Sequence, residues 1–301
     1  MRPFLARALG LSLGLAADRL LADPQRWHPV AGFGRLATAL EHRTYADRRA
    51  AGTLHVAVLV GGAAALGTRA PGPLATAVAT WAVLGGTSLD REAAAVERLL
   101  VAGDLPGARL QVARLVGRDT TALDETGVAR AVIESVAENT SDAVVAPLVW
   151  GALLGAPGLL AYRAANTLDA MVGHHSDRYE RFGWAAARLD DVLNVPGARL
   201  TAALAVLLGP DHRGAVAAWR RDAGAHPSPN AGPVEAAFAG ALGIQLGGTT
   251  VYPYGVSERP RLGAGPAPTA GDVTRARRLA RRVQLTALLV LLPIAARCRR
   301  G

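Results

Sequence analysis

Leu54 to Gly67 reads LHVAVLVGGAAALG and Pro73 to Leu89 reads PLATAVATWAVLGGTSL, with Thr68-Arg69-Ala70-Pro71-Gly72 between them. Neither run contains an acid or an arginine. A Pro-Gly turn between two such runs is the signature of a helical hairpin. Each run is shorter than the roughly 20 residues that cross a hydrocarbon layer, so flanking residues or local thinning must complete a span. Working outward, three more apolar stretches appear: Phe4 to Leu21, interrupted by Arg7, then Ala143 to Tyr162, then Val283 to Ala296. Leu200 to Gly209 is too short to cross and reads as buried or interfacial. No period-two pattern persists, Gly255 to Gly271 is rich in Gly and Pro and reads as a loop, and no repeat is found. The expected fold is all-α: a multi-pass integral membrane protein with about four to five membrane-embedded helices and large cytoplasmic helical loops. It is read as a single domain over residues 1–301, with segments 90–142 and 163–282 facing mainly the cytoplasm.

Composition agrees. Half of the 301 residues are hydrophobic and 19% are charged, against about 25% in a soluble domain; the mean hydropathy is +0.21. All 33 basic residues are arginines, and the formal net charge is +9. They are dispersed, and aromatics make up 5%, so no basic stripe interleaved with aromatics supports a nucleic-acid surface. Their distribution follows the positive-inside rule instead. Arg26, Arg35, Arg43, Arg48 and Arg49 follow the first apolar stretch, only Arg69 sits in the hairpin turn, and six arginines lie between Asp90 and Asp142. Arg297, Arg299 and Arg300 extend the pattern to a cytoplasmic tail. The single cysteine, Cys298, excludes an internal disulfide or a multi-Cys metal site. The first helix lacks a small-residue cleavage site and reads as retained. The expected location is the inner (plasma) membrane, with the active face cytoplasmic.

Polar residues concentrate in the middle of the chain. Glu134 and Glu138 are four apart and share a helix face, and Asn139 and Asp142 follow directly before an apolar run. Acids so placed can hold a cation or move a proton, and ionisable groups at a membrane boundary are functional candidates; a solvated helix end is the bland reading of Glu134. Asn166 and Asp169 are three apart. Asp190-Asp191 with Asn194 is a set of hard oxygen ligands suited to Mg²⁺, although adjacent aspartates diverge on a helix and Asp pairs also serve as caps. His226-Pro227-Ser228-Pro229-Asn230 is a rigid loop able to offer Ser228, Asn230 and free N–H groups to a phosphate, or simply a turn. His28 is a candidate phosphate contact or proton carrier, and equally a structural histidine. Gly32-x-Gly34-x-x-Ala37 imitates a dinucleotide fingerprint, but no strand precedes it.

Taken in order, the motifs resemble the adenosylcobinamide-phosphate synthase (CobD/CbiB) family of cobalamin biosynthesis. They are Asp18 with Asp23-Pro24 and His28-Pro29-Val30; Val116-Gly117-Arg118-Asp119-Thr120; Arg130-Ala131 with Glu134; Ala137-Glu138-Asn139 with Asp142; Ala146-Pro147-Leu148; Tyr162-Arg163 with Asn166-Thr167-Leu168-Asp169; Phe182-Gly183-Trp184; Ala187-Arg188-Leu189-Asp190-Asp191 with Asn194; and Ser228-Pro229-Asn230-Ala231-Gly232. The similarity runs from about Leu11 to Gly255. Departures are His174-His175, where the family tends to have Tyr-Lys, the placement of Pro196 after Asn194, and Pro233 where an aromatic is frequent. The resemblance implies an integral membrane ligase that joins adenosylcobyric acid to (R)-1-amino-2-propanol phosphate with ATP and Mg²⁺. It assigns no catalytic role to a named residue.

A carboxylate must be activated before it forms an amide. A phosphorylated carboxylate attacked by the amine requires Mg²⁺ and charge neutralisation. Glu138, Asp142, Asp169, Asp190 and Asp191 are the candidates for metal binding or amine deprotonation; Arg118, Arg163, Arg188 and the Ser228–Asn230 loop are those for phosphate. Because ATP is cytoplasmic, Glu138 and Asp169 belong on one side, so the Ala143–Tyr162 stretch is expected to turn back at Gly155-Ala156-Pro157-Gly158 rather than cross. A homo-oligomer or a complex with other corrinoid enzymes is a further expectation. A transporter or non-catalytic scaffold of the same pathway is the rival reading.

Overall fold

The computed structural model describes residues 3–22, 28–69, 71–174, 176–252 and 255–297. Asp23-Pro24, Arg26, Ala70, His175, Cys298, Arg299 and Arg300, used above, lie outside them. The chain is all-α apart from one small hairpin, and it divides into two compact units.

The first unit takes residues 1–85, 142–197 and 288–301. It contains α1 (Pro3–Leu21), α2 (Pro29–Thr44), α3 (Arg49–Thr68), α4 (Pro73–Val83), α8 (Ala146–Leu154), α9 (Ala156–Val172) and the start of α10 (Trp184–Leu208). Helix α1 lies against α4 because Gly10 and Gly14 remove the side chains between them. A Cβ on Gly14 would sit 2.3 Å from Thr80 Cβ, and one on Gly10 would sit 2.5 Å from Thr76 Cβ. This Gly-x-x-x-Gly face is the small-residue packing that membrane helices use in place of a hydrophobic driving force. The same device sets α3 on α9, where a Cβ on Gly67 would lie 2.6 Å from Pro157 Cα. Beneath them Ala37, Val56, Leu59, Leu168, Val172, Phe182 and Ala186 form the core. Tyr45 and His55 close on Phe182, each with ring centroids 5.2 Å away.

The stretch Ala143–Tyr162 does not run straight through. A π turn (Ser141–Val145) precedes α8, and Gly155, with φ 71°, reverses the chain into α9. The Tyr162 hydroxyl reaches the Asp142 carbonyl at 2.9 Å, so the two ends of the stretch meet. Arg7, the charge that interrupts the first apolar run, donates to the carbonyls of Ala152 (3.1 Å) and Leu153 (2.8 Å) at the end of α8. Those carbonyls lie in the last turn of the helix, where donors from outside it are needed.

The second unit takes residues 86–141 and 198–287. It holds α5 (Gly86–Val101), α6 (Leu105–Val112), α7 (Glu125–Thr140), the end of α10, α11 (His212–Asp222), α12 (Ala231–Leu242) and most of α13 (Ala270–Arg297). The stretch read as strandless and looped carries an antiparallel hairpin, β1 (Leu246–Tyr252) with β2 (Gly255–Leu262). Gly247-Gly248 hides the β-branched run that follows, and the hairpin is held from outside. Arg130 on α7 donates to the Gly247 (2.6 Å) and Thr249 (3.0 Å) carbonyls, and Glu134 accepts from the Gly247 amide at 2.9 Å.

Among the described residues, three helices are long and apolar enough to cross a membrane: α3, α10 and α13. Helix α10 corrects the reading of Leu200–Gly209 as too short. The polar turns Arg188 to Asn194 are continuous with it, and Pro196 sits inside the helix rather than ending it. The Pro73–Leu89 run is divided at Leu84-Gly85 between α4 and α5.

Gly14→Val should destabilise the protein by about 2 kcal/mol through overpacking, seen as a lower unfolding temperature in detergent. Gly62→Ala, whose Cβ meets nothing within 4 Å, should be neutral or stabilising by up to about 1 kcal/mol.

Candidate functional site

In the first unit, two sequence motifs meet at one carboxylate. Asp190, on α10, is 8% exposed. Its oxygens accept from the Asn194 amide at 2.8 Å, one turn along, and from the Asn166 amide of α9 at 3.3 Å. The Asn194 amide oxygen lies 2.6 Å from the Tyr162 hydroxyl. Arg163 donates to the Asn166 oxygen at 3.3 Å. The amide orientations follow: Asn194 and Asn166 each turn an N–H towards the acid and an oxygen towards a donor. Arg163 also lines an apolar cavity of about 670 Å³ bordered by α2, α3 and α9.

The neighbouring candidates take other positions. Asp191 points away from Asp190, towards Arg188 at 3.7 Å. Asp191 thus faces away from the Asp190–Asn194 pair: successive side chains diverge by about 100° on a helix, and the Asn194 oxygen faces the Tyr162 hydroxyl. No three His, Cys, Asp or Glu gather as a metal site among the described residues. Asp169 folds back at the end of α9, where a Cβ on Gly173 would meet its Oδ1 at 1.9 Å. Asp142 contributes its backbone carbonyl to Tyr162. His28 serves as the N-cap of α2, its Nδ1 accepting from the Val30 amide at 3.1 Å.

The second unit has its own polar centre. Arg118 forms a nearly buried ion pair with Glu134. Glu235 lies in α12 at 3% exposure, with His226 Nε2 3.8 Å from its Oε1. The same His226 nitrogen is 3.1 Å from the Arg259 guanidinium, and its Nδ1 accepts from the Ser228 amide at 3.0 Å. Burial first, then the charges of Glu134 and Glu138, push the Glu235 carboxyl well above its ordinary range; Arg259 and Arg118 oppose this. Burial and the Arg259 charge depress His226, which holds it neutral. The loop read as a phosphate cradle is engaged internally. Ser228 Oγ accepts from the Asn230 (3.3 Å) and Ala231 (3.1 Å) amides, and Arg199 holds the Pro229 carbonyl at 2.9 Å and the Asn230 side chain at 3.3 Å. Those two amides are thus not free for an anion.

Arg118, Glu138, Ser228 and Asn230 thus belong to one unit, and His28, Asp142, Arg163, Asn166, Asp169, Arg188, Asp190, Asp191 and Asn194 to the other. Glu235, Arg259, His226 and Tyr162 complete the two centres and were not among the expected site residues. Glu235 carried a signal: it is the one charge in α12, AGPVEAAFAGAL, and such a residue needs partners.

A fold of membrane-length helices with a buried, hydrogen-bonded acid defines the class: an all-α membrane protein with polar centres built into its helices. The family model described as CobD/Cbib protein matches residues 11–280. The cobalamin biosynthesis protein CobD of Mycobacterium tuberculosis is 52% identical over 304 aligned residues, covering 97% of both chains. Its namesake in Chromobacterium violaceum is 48% identical over 293, covering 91% of this chain and 92% of its own. That of Rhodobacter capsulatus is 43% identical over 296, covering 94% of both. No solved structure matches. The chain belongs to the CobD/CbiB family of cobalamin biosynthesis proteins.

Glu235 gives a pH test. Its raised folded pKa means that the folded chain keeps a proton which the unfolded chain, at about 4.3, releases. That contribution to stability is complete below about pH 4.3 and is lost as pH rises through the folded value. Glu235→Gln is neutral throughout, so at pH 8 it should unfold at a higher temperature than the parent, and the difference should shrink towards zero by about pH 4.

Proposed function

We propose that the protein is an adenosylcobinamide-phosphate synthase, condensing adenosylcobyric acid with (R)-1-amino-2-propanol phosphate at the expense of ATP. Membership of the CobD/CbiB family places it in cobalamin biosynthesis; the reaction is the finer reading. The observation that carries it is the assembly at Asp190. Two asparagine amides orient a buried carboxylate, and an arginine stands at the outer end of the same chain of hydrogen bonds.

The chemistry has two steps. The substrate carboxylate attacks the γ-phosphorus of ATP, giving an acyl phosphate and ADP. The amine then attacks the acyl carbon, forming the amide and releasing inorganic phosphate and a proton. Mg²⁺ enters with the nucleotide as part of Mg-ATP, which suits an ion that keeps several waters and takes one or two protein carboxylates. Asp190 takes a proton from the substrate ammonium and so frees the amine that attacks: each of its oxygens spends one lone pair on an asparagine and keeps another. Arg163 compensates the negative charge of the carboxylate being activated. Burial strengthens both effects by lowering the local dielectric. ATP supply places this face in the cytoplasm, with the protein in the inner membrane.

Purified protein in detergent, given adenosylcobyric acid, aminopropanol phosphate and Mg-ATP, should form the amide and ADP in equal amounts by mass spectrometry. Asp190→Asn should lower kcat by about 10²- to 10⁴-fold, the usual contribution of a positioned proton acceptor, and Glu138→Ala reports separately on the second unit. No product from folded protein with intact substrates would sink the ligase reading and leave a non-catalytic membrane role in the pathway.

A further inference from the structure

A basic cleft of about 560 Å³ lies between α5 and the first turns of α13 in the second unit, and neither polar centre described above uses it. Arg98, Arg277, Arg278, Arg281, Thr274 and Val101 line it. Two of the arginines are fixed by acids: Arg277 holds Asp90 at 3.1 Å and Glu97 at 2.7 Å, and Arg281 holds Asp90 at 2.5 Å. Thr274 bonds Glu97. Arg98 and Arg278 make no ion pair or hydrogen bond among the described residues, so the cleft carries two uncompensated positive charges. A rigid acid–arginine floor with two open guanidinium groups is a receptor for an anion with several acceptor oxygens.

The position of the cleft selects the anion. Helix α13 is long and apolar enough to cross a membrane. On it Leu285 follows Arg281 by one turn and Arg278 by two, and is 50% exposed; Leu289, a turn further, is 65% exposed. Residues four apart share a face, so an exposed charged stripe runs directly into an exposed apolar one. Arg278 and Arg281 stand about 10 and 6 Å along the axis from Leu285, the depth of a headgroup layer next to the hydrocarbon. A soluble nucleotide or free phosphate would gain nothing from the apolar stripe, whereas an amphiphile fits both parts.

We propose that this cleft binds the phosphate of an anionic membrane phospholipid, whose acyl chains lie along the Leu285–Leu289 face of α13. The ligand is a structural lipid of the leaflet on the arginine-rich side, in line with the attraction of basic segments next to a span for acidic lipid.

The full chain, delipidated in mild detergent, is titrated with phosphatidylglycerol or with phosphatidylcholine and followed by native mass spectrometry and thermal unfolding. Phosphatidylglycerol should remain bound and raise the unfolding temperature; phosphatidylcholine should do neither. Arg98→Gln with Arg278→Gln should weaken retention of phosphatidylglycerol about 30-fold, at about 1 kcal/mol per arginine. Both side chains are exposed, so the fold should survive. The charge-matched pair Arg213→Gln with Arg220→Gln, on α11, should leave retention unchanged. Equal retention of the two lipids, or equal loss in both double variants, overturns the site. Mg-ATP displacing the lipid competitively and stabilising the lipid-free parent but not the Arg98/Arg278 variant would overturn the lipid and give the cleft to the nucleotide.

Discussion

A carboxylate inside a helix of membrane-spanning length has to be given partners by the protein, because neither lipid nor a packed interior supplies them. Asp190 is that carboxylate, and much of the first unit is arranged around it. Asn194 comes from the same helix and Asn166 from α9, while Tyr162 ties Asn194 to the start of the α8 hairpin. The approach is close enough only because of small residues: a Cβ on Gly197 would lie 2.4 Å from the Ala146 Cβ. Pro196, one residue earlier, brings no N–H to the Val192 carbonyl one turn before it. Beside that position Trp150 donates to the Leu193 carbonyl at 2.8 Å.

The second unit handles buried charge differently. Asp190 is surrounded by neutral amides and a hydroxyl, whereas Glu235 sits in the field of two more glutamates and of Arg118 and Arg259. Here the acid can lose its charge by keeping its proton, the usual outcome when like charges crowd a dry site. Glu134 meets two donors instead, the Arg118 guanidinium and the Gly247 amide. The latter bond also fixes the start of the β-hairpin, so electrostatics and local architecture meet in one side chain.

Much of this was legible in the residues. The apolar runs located α1, α3, α4, α8 and α13, and the Gly-Ala-Pro-Gly break marked the reversal between α8 and α9. Asn166, Asp190 and Asn194 were visible as spaced polar residues beside apolar ones. The hairpin escaped because its strands are held by Arg130 and Glu134, more than a hundred residues away in sequence; no local pattern encodes such a contact. Helix α10 was cut short in the reading because a proline and four charged residues interrupt its hydropathy, although Asp190 finds its partners across the helix interface. Ser228 and His28 each carried two readings in the sequence because capping and binding use the same chemistry; the structure adds that both accept from neighbouring backbone amides.

Arg7 has a consequence for how the chain is assembled. Its acceptors, the last carbonyls of α8, lie 145 and 146 residues downstream. At bacterial or eukaryotic synthesis rates that interval lasts about 7–30 s. Throughout it, the first apolar helix carries a guanidinium whose final seat does not yet exist, and the end of α8 in turn depends on a residue made long before. The amino-terminal helix must therefore remain adjustable, its charge resting near water, until the hairpin arrives to receive it. Biogenesis of this membrane protein is then sequential but not settled in order: the charge of its first segment is seated only once α8 has been made.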